Sequence, residues 1–433
     1  MDLVLSRIEK DPNVINEVID YLRSEIRSIR FNAILVLGEL GRESRSGVSA
    51  LTECLKDNDW SVCREALRSL GKVGDVTEKT ISEISLLTKN DELSIRKEAV
   101  IALGKIGIAD DISISGLIDS LDDESEEVRK EAAIALGDLG FGAFKAISHL
   151  IDRIRDQSWQ VRTEAVKSLS KIGKGAQNAI PSLLKALGDK DWRVRKAIIN
   201  TLVQIGTDAI PSLLSYMKHY NPIVRKGVIE ALGEMNIANP EIIKEVSLAL
   251  RDDKKGISGK AADALRNIGK PALPQLIESI NDPNKKRKNL AIWAIGGMED
   301  DASEAIPYLI KVLKEKDASV LIEAARALGK LGHIAKDAIP ALVELLKAPN
   351  AKVRKEVAVS IGKMGSSAKE AIPGLIEALD DKNPDVRWRA SESLGLIGVS
   401  TDEIISSLNT LIHDQCDYVC EAAILAIEKI KGM

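Results

Sequence analysis

Aromatic residues are scarce in this chain, at 3% of 433 residues: five Trp, five Tyr and three Phe. A surface that grips single-stranded nucleic acid needs successive stacking platforms, and few are available here. Cysteine is equally thin. Cys54, Cys63, Cys416 and Cys420 form no C-x-x-C pair, which argues against a zinc or dithiol centre and for free, wholly or partly buried thiols. The four histidines, His149, His219, His333 and His413, are scattered, and none precedes a glutamate. Neither H-E-x-x-H nor G-x-x-x-x-G-K-[ST] occurs. No cofactor, metal site or catalytic grouping is expected. The first residues, Met1 to Arg7, carry an early acid and no secretory pattern. No stretch approaches the ~20 apolar residues of a membrane span. The expectation is a cytoplasmic protein without membrane insertion. Charge of one sign is also missing: 61 Lys+Arg against 65 Asp+Glu leave a net −4, which weighs against a dominant nucleic-acid binder.

What is present is a ruler. The pattern hydrophobic-Arg, then Ala-x-x-x-Leu-Gly-x-hydrophobic-Gly, returns thirteen times, its Arg position falling at Arg30, Cys63, Arg96, Arg129, Arg162, Arg195, Arg225, Ser258, Lys288, Leu321, Arg354, Arg387 and Cys420. The spacing is 33 residues, except for two of 30 (195 to 225 and 258 to 288). A fixed period over a whole chain specifies a stack in which each unit buries its apolar face against its neighbours.

Residues 179–206 show one unit. Ile180, Leu183, Leu184 and Leu187 make the apolar stripe of a first helix, with Pro181 in its opening turn, where a missing N–H costs no hydrogen bond. The same position holds Pro211, Pro274, Pro307, Pro340 and Pro373, and in earlier units Ser49, Ser82, Ser115 and Ser148. After the polar break Gly188-Asp189-Lys190-Asp191, a second helix places Val194, Ile198, Leu202 and Ile205 inward, and Gly206 supplies its C-cap. The fold class expected is all-α: an α-solenoid, a right-handed superhelix of about 13 antiparallel helix pairs. It runs as one array over 1–433, with an N-terminal cap region at 1–24, irregular repeats at 251–300 and a C-terminal cap at 404–433.

The Asp-x-Asp-x-x-Val-Arg run (Asp189, Asp191, Val194, Arg195), the Ala102-Leu103-Gly104-Lys105-Ile106-Gly107 run and the Ala-Ile-Pro helix start resemble HEAT repeats, specifically the short phycobilisome-lyase-type subtype. The resemblance covers essentially the whole chain. Its period lies below the ~40–47 usual for HEAT arrays, nearer that of ankyrin and tetratricopeptide repeats, but the Thr-Pro-Leu-His motif and packing aromatics of those families are lacking. The resemblance implies that Arg96, Arg129, Arg162, Arg195, Arg225, Arg354 and Arg387 are structural, pairing with a neighbour's turn acid such as Asp123, Asp156, Asp189 or Asp381. Some HEAT-like proteins are enzymes. Deoxyhypusine hydroxylases hold iron through His-Glu dipeptides, which this chain lacks. A bilin chromophore lyase or isomerase rests on the repeat subtype alone.

Departures from the ruler mark candidate function. Residues 251–290 carry ten basic and five acidic residues, a net +5, against −9 for the remainder. Lys285, Lys286, Arg287 and Lys288 form the densest run, placed in the loop leading into a second helix, and Gly256, Gly259 and Gly296-Gly297 suggest added flexibility. Positions one, two, five and nine after the Arg position line the second-helix face, where signs alternate (Lys97, Glu98, Lys130, Glu131, Glu164, Lys167, Lys355, Glu356). Phe31, Trp293 and Trp388 interrupt that register and read as interface anchors. Trp60, Trp159 and Trp192, three residues before the Arg position, read as packing residues. The function expected is a non-catalytic scaffold whose concave face binds another protein through Trp293, Trp388, Phe31 and Lys285–Lys288. A nucleic-acid-binding solenoid is the alternative.

Overall fold

The computed structural model describes residues 14–173 and 175–432. The N-terminal cap expected at 1–24 therefore lies partly outside the described residues. Two compact units divide the chain, Met1–Tyr216 and Met217–Met433. Each is an α-solenoid of antiparallel helix pairs, thirteen pairs among the described residues. Second helices such as Leu93–Ile106, Trp159–Ile172 and Pro384–Ile397 pack on those before and after them. First helices such as Asp111–Ser120 and Ile372–Ala378 form the other layer.

The boundaries follow from local chemistry. Pro181, Pro307, Pro340 and Pro373 occupy the first turns of their helices. Two of the serine units depart from expectation. The helices Glu78–Leu87 and Asp111–Ser120 begin a turn before Ser82 and Ser115, because Thr77 and Asp110 accept the amides of Thr80 and Ser113 and set the N-terminus earlier. The glycine stop takes a left-handed φ, as at Gly107 (φ 73°). In two units another residue holds that conformation, Asn236 and Glu299, both at φ 51°. The stretch Trp192–Tyr216 is long and apolar enough for a membrane span, contrary to the sequence expectation, but it is two helices, broken at Gly206 (φ 75°).

Close stacking depends on the first glycine of Leu-Gly-x-hydrophobic-Gly. A Cβ on Gly137 would lie 2.9 Å from Ser168 Cα, and one on Gly329 2.7 Å from Ser360 Cα. With no side chain in the way, neighbouring backbones approach, and hydroxyls bond across: Ser69 Oγ donates to Ile34 O (3.0 Å), Ser168 Oγ to Ala133 O (2.6 Å) and Ser393 Oγ to Ala358 O (2.7 Å). Gly296 and Gly297 belong to this packing rather than to a flexible bend. Their Cβ atoms would meet Ala327 Cα at 2.7 Å and Arg266 Cδ at 2.6 Å.

Between repeats runs a polar relay. Arg30, Arg96, Arg129, Arg162, Arg225, Arg354 and Arg387 each donate through Nε, at 2.6–2.8 Å, to the aspartate 27 residues on: Asp57, Asp123, Asp156, Asp189, Asp252, Asp381 and Asp414. Nη2 reaches the second carboxylate oxygen, as from Arg162 to Asp189 Oδ1 (2.9 Å). Nη1 caps carbonyls of the arginine's own turn, as Arg129 does at Asp123 O (2.9 Å) and Glu124 O (3.0 Å). Each aspartate also accepts the amide two residues on, as Asp156 does from Ser158. Arg195 makes the same carbonyl contacts, to Asp189 O and Lys190 O.

The two columns change together. Lys288 meets Glu315 (2.7 Å), Cys63 stands 27 residues before Asn90, and Leu321 before Ala348. The 30-residue spacings break this rule: His219 stands six residues before Arg225, and Asp282 follows a Ser258 that supplies no cation. Arg287, from within the same repeat, and Arg251 pair with Asp282 instead.

Four outcomes follow from this packing. Breaking a buried pair leaves an uncompensated charge, so Arg162→Ala should cost about 3–5 kcal/mol in urea unfolding. Arg162→Leu with Asp189→Ala, copying Leu321 and Ala348, should cost clearly less than either single change; equal or additive losses would refute the coupling. Gly137→Val should cost about 1–3 kcal/mol by overpacking against Ser168, read by the same measurement. The fourth outcome concerns pH. Burial alone would push the Asp156 carboxyl up, but bonds from Arg129 and the Ser158 amide, with the guanidinium charge, hold it below its ordinary value. The bond from Arg387 does the same for Asp414. A depressed carboxyl contributes stability above its unfolded pKa of about 3.9 and loses it as pH falls through the folded value. Thermal stability should thus be flat near neutrality and fall below about pH 4. A protein carrying Arg129→Leu with Asp156→Ala should fall less steeply over that range.

Candidate interaction surface

The second-helix face is mostly self-neutralised. Arg68 meets Glu98 (3.1 Å), Lys97 meets Glu127 (2.5 Å), Arg326 meets Glu356 (3.0 Å) and Lys355 meets Asp385 (2.9 Å), each pair joining neighbouring repeats. Such surface and half-buried pairs each add modest stability, but they consume the charges that a partner would otherwise meet.

The basic run behaves differently from its sequence reading. Lys285–Ile295 is a helix capped by Asn284, so the four cations occupy its first turn rather than a loop. Cations at a helix N-terminus oppose the helix dipole, and nearby acids compensate them. Arg287 is 5% exposed and paired with Asp282, Lys288 meets Glu315, and Lys285 meets Asp317 at 2.9 Å. The lysine pair holds the Asp317 carboxyl down at about 2. Lys286 is exposed and makes no ion pair among the described residues.

The three anchor candidates are not brought together. Phe31 lies in the first unit, half-buried, with the Arg27 guanidinium 5.5 Å from its ring. Trp293 and Trp388 lie in the second, three repeats apart. Trp293 is half-buried, with the Arg266 guanidinium 4.8 Å and the Lys330 ammonium 5.9 Å from its ring centres. Trp388 carries Arg389 at 3.5 Å from its ring centre and meets Tyr418 edge to face, with centroids 5.5 Å apart at 76°. A groove of about 290 Å³ opens beside it, lined by Trp388, Tyr418, Leu425 and the acids Glu392, Glu421 and Glu428.

Two exposed aromatic features differ from the sequence reading or were missed by it. Trp60 and Trp192 are 51% and 66% exposed at the first positions of their helices, so they are not packing residues. Arg64 lies over Trp60 and Arg193 over Trp159. Phe141 and Phe144, two of the three phenylalanines, stand exposed and stacked 5.9 Å apart in a connector. Their signal was available column by column, since sister repeats carry Arg42 and Arg45, or His333 and Lys336, there. All four cysteines are free thiols, two of them in the Arg column: Cys63 Sγ donates to Leu55 O and Cys420 Sγ to Asp414 O, both at 3.2 Å.

Comparison with known proteins places this geometry. No curated protein sequence matches the chain. Among solved structures, Kap121p bound to Ste12p is similar with a TM-score of 0.62 at 15% identity, covering 98% of this chain and 53% of that one. The karyopherin Kap121p bound to the extreme C-terminus of the protein phosphatase Cdc14p gives 0.52 at 17% identity, covering 97% and 49%. Kap95p in a RanGDP structure gives 0.51 at 15%, covering 96% and 66%. The chain spans about half the length of the Kap121p chains, and at these identities the likeness is one of fold. The family profile described as HEAT repeats matches eight overlapping segments (15–103, 48–137, 114–183, 147–219, 210–296, 273–362, 306–393 and 339–428). With thirteen helix pairs among the described residues on a common ruler and a match running from 15 to 428, the chain belongs to the HEAT-repeat family.

Proposed function

We propose that this HEAT array is a non-catalytic scaffold that binds a segment of another protein along the concave face lined by its second helices. One observation carries the reading. The second-helix face is neutralised pair by pair between repeats, and within the second unit Trp293 and Trp388 interrupt it, half-exposed at inner-register positions. Aromatic rings in an otherwise self-satisfied polar face are the kind of residue that anchors interfaces. Kap121p, which shares the fold, has been solved bound to Ste12p, to Pho4p and to the terminus of Cdc14p, which are protein partners.

Within this reading the arginine column is structural, Trp293 and Trp388 are the anchors, and Phe31 is a separate contact in the first unit. The basic run contributes chiefly through Lys286, since Lys285, Arg287 and Lys288 are engaged by acids of the fold. The same engagement weakens the nucleic-acid alternative, which needs several free cations in a row.

The test is capture from host lysate, with and without nuclease, by the native chain and by Trp293→Ala/Trp388→Ala. Circular dichroism would verify that the variant is folded. A nuclease-resistant partner, reduced ~10-fold or more in the folded variant, is the expected outcome, in line with the effect of losing a buried aromatic anchor. Undiminished capture by the variant, or loss of the bound material with nuclease, would overturn the reading.

A further inference from the structure

The groove beside Trp388 has a chemistry opposite to that of the basic run, and that difference identifies what it takes. Its walls come from two adjacent second helices, Pro384–Ile397 and Asp417–Lys431. Trp388, Tyr418, Ala422, Leu425 and Ala426 supply an apolar floor, and Leu425 remains 59% exposed on it. Around the rim stand Glu392, Glu421 and Glu428 against the single cation Lys429. Arg389 engages Glu392 at 2.5 Å, whereas Glu421 and Glu428 are exposed and make no ion pair among the described residues.

The aromatic geometry is fixed from behind. Lys355 holds Asp385 at 2.9 Å, and Asp385 accepts the Tyr418 hydroxyl at 3.2 Å. That chain keeps the phenol ring edge-on to the indole. Arg389 already lies over Trp388 at 3.5 Å, so this ring accepts a guanidinium in the fold itself. Two rings near a right angle, a leucine and two uncommitted carboxylates form a half-cage that suits a cation on an aliphatic stem. The stem packs on Leu425 and the rings, and the head meets Glu421 and Glu428. At about 290 Å³ the groove holds one or two side chains rather than a whole small-molecule ligand.

We infer that the Trp388–Tyr418–Leu425 groove binds an arginine or lysine side chain, flanked by an apolar residue, on an extended segment of the partner protein. The inference rests on the scaffold reading above and sharpens it. Trp293, with Arg266 and Lys330 over its rings, favours the acidic part of the same segment. Three helix-to-helix steps of ~8–10 Å separate the two sites. That gap is spanned by about eight residues of extended chain at ~3.3 Å each.

The probe is the full chain labelled with 5-fluorotryptophan, the Trp388 resonance being assigned by Trp388→Phe. It is titrated with the peptides Ac-Gly-Arg-Leu-Lys-Gly-amide and Ac-Gly-Glu-Leu-Glu-Gly-amide. The cationic peptide should shift the Trp388 resonance saturably, and the acidic one should not. Glu421→Lys/Glu428→Lys, which alters only exposed rim positions, should weaken binding of the cationic peptide by ~10-fold or more, as expected for reversed charge complementarity. An unmoved Trp388 resonance, an equal response to both peptides, or an unchanged affinity in the double variant would overturn the assignment. If the peptide leaves Trp388 unmoved while Trp388→Ala abolishes lysate capture, the groove's charge preference falls and the scaffold reading stands. Saturable peptide binding with capture unaffected by Trp293→Ala/Trp388→Ala would instead sustain the groove and sink the scaffold reading.

Discussion

The structure depends on one interaction repeated: an arginine of one repeat gripping the turn aspartate of the next. Each aspartate's carboxylate receives the previous repeat's guanidinium and holds the amide two residues on, and at Asp123, Asp156, Asp189 and Asp381 the carbonyl also receives the arginine of its own repeat. The turn between helices is therefore shaped by the same bonds that set the distance to the neighbour. A bidentate pair tolerates little displacement, so the relay fixes register while apolar burial supplies most of the cohesion. The paired columns show the constraint acting: Arg with Asp, Lys with Glu, Cys with Asn, Leu with Ala. Outside the two 30-residue spacings, a charge of the relay is kept only where its partner is kept.

That relay also explains why the most conspicuous charge cluster is largely unavailable. Asp282 needs a cation, and Ser258 cannot provide one, so Arg287 and Arg251 take the position. Lys288 fills the arginine column by reaching Glu315. What looks in sequence like a basic patch is mostly a local repair of the relay in a shortened repeat. With charges absorbed in this way along the second-helix face, the residues left over stand out: the half-exposed tryptophans, Lys286, and the unpaired acids beside Trp388.

Much of the fold was legible because the chain repeats. A 33-residue period, prolines at helix starts and glycines at helix stops each have a local cause, and the thirteen helix pairs occur where those signals recur. Local signals failed where two of them competed. Ser82 and Ser115 looked like helix starts, but Thr77 and Asp110 cap the chain earlier. Trp60 and Trp192 looked like packing residues because they recur, yet their column lies at the helix start on the surface. Phe141 and Phe144 were visible only against the same columns in sister repeats. The inner-register tryptophans were legible as positions, whereas the groove, built from two helices 33 residues apart, was not.

By itself the sequence determined the repeat, the helix boundaries set by proline and glycine, the apolar stripes and the identity of the charged columns, since all of these are short-range or periodic properties. Only the tertiary structure decided which charges are spent and which remain free. An ion pair depends on side chains about 27 to 33 residues apart meeting within about 3 Å, and that distance is set by backbone approach at Gly137, Gly329 and their equivalents. The acidic groove beside Trp388 exists for the same reason. Its chemistry belongs to no single helix, and appears when two second helices are brought side by side with their aromatic and carboxylate residues facing one opening.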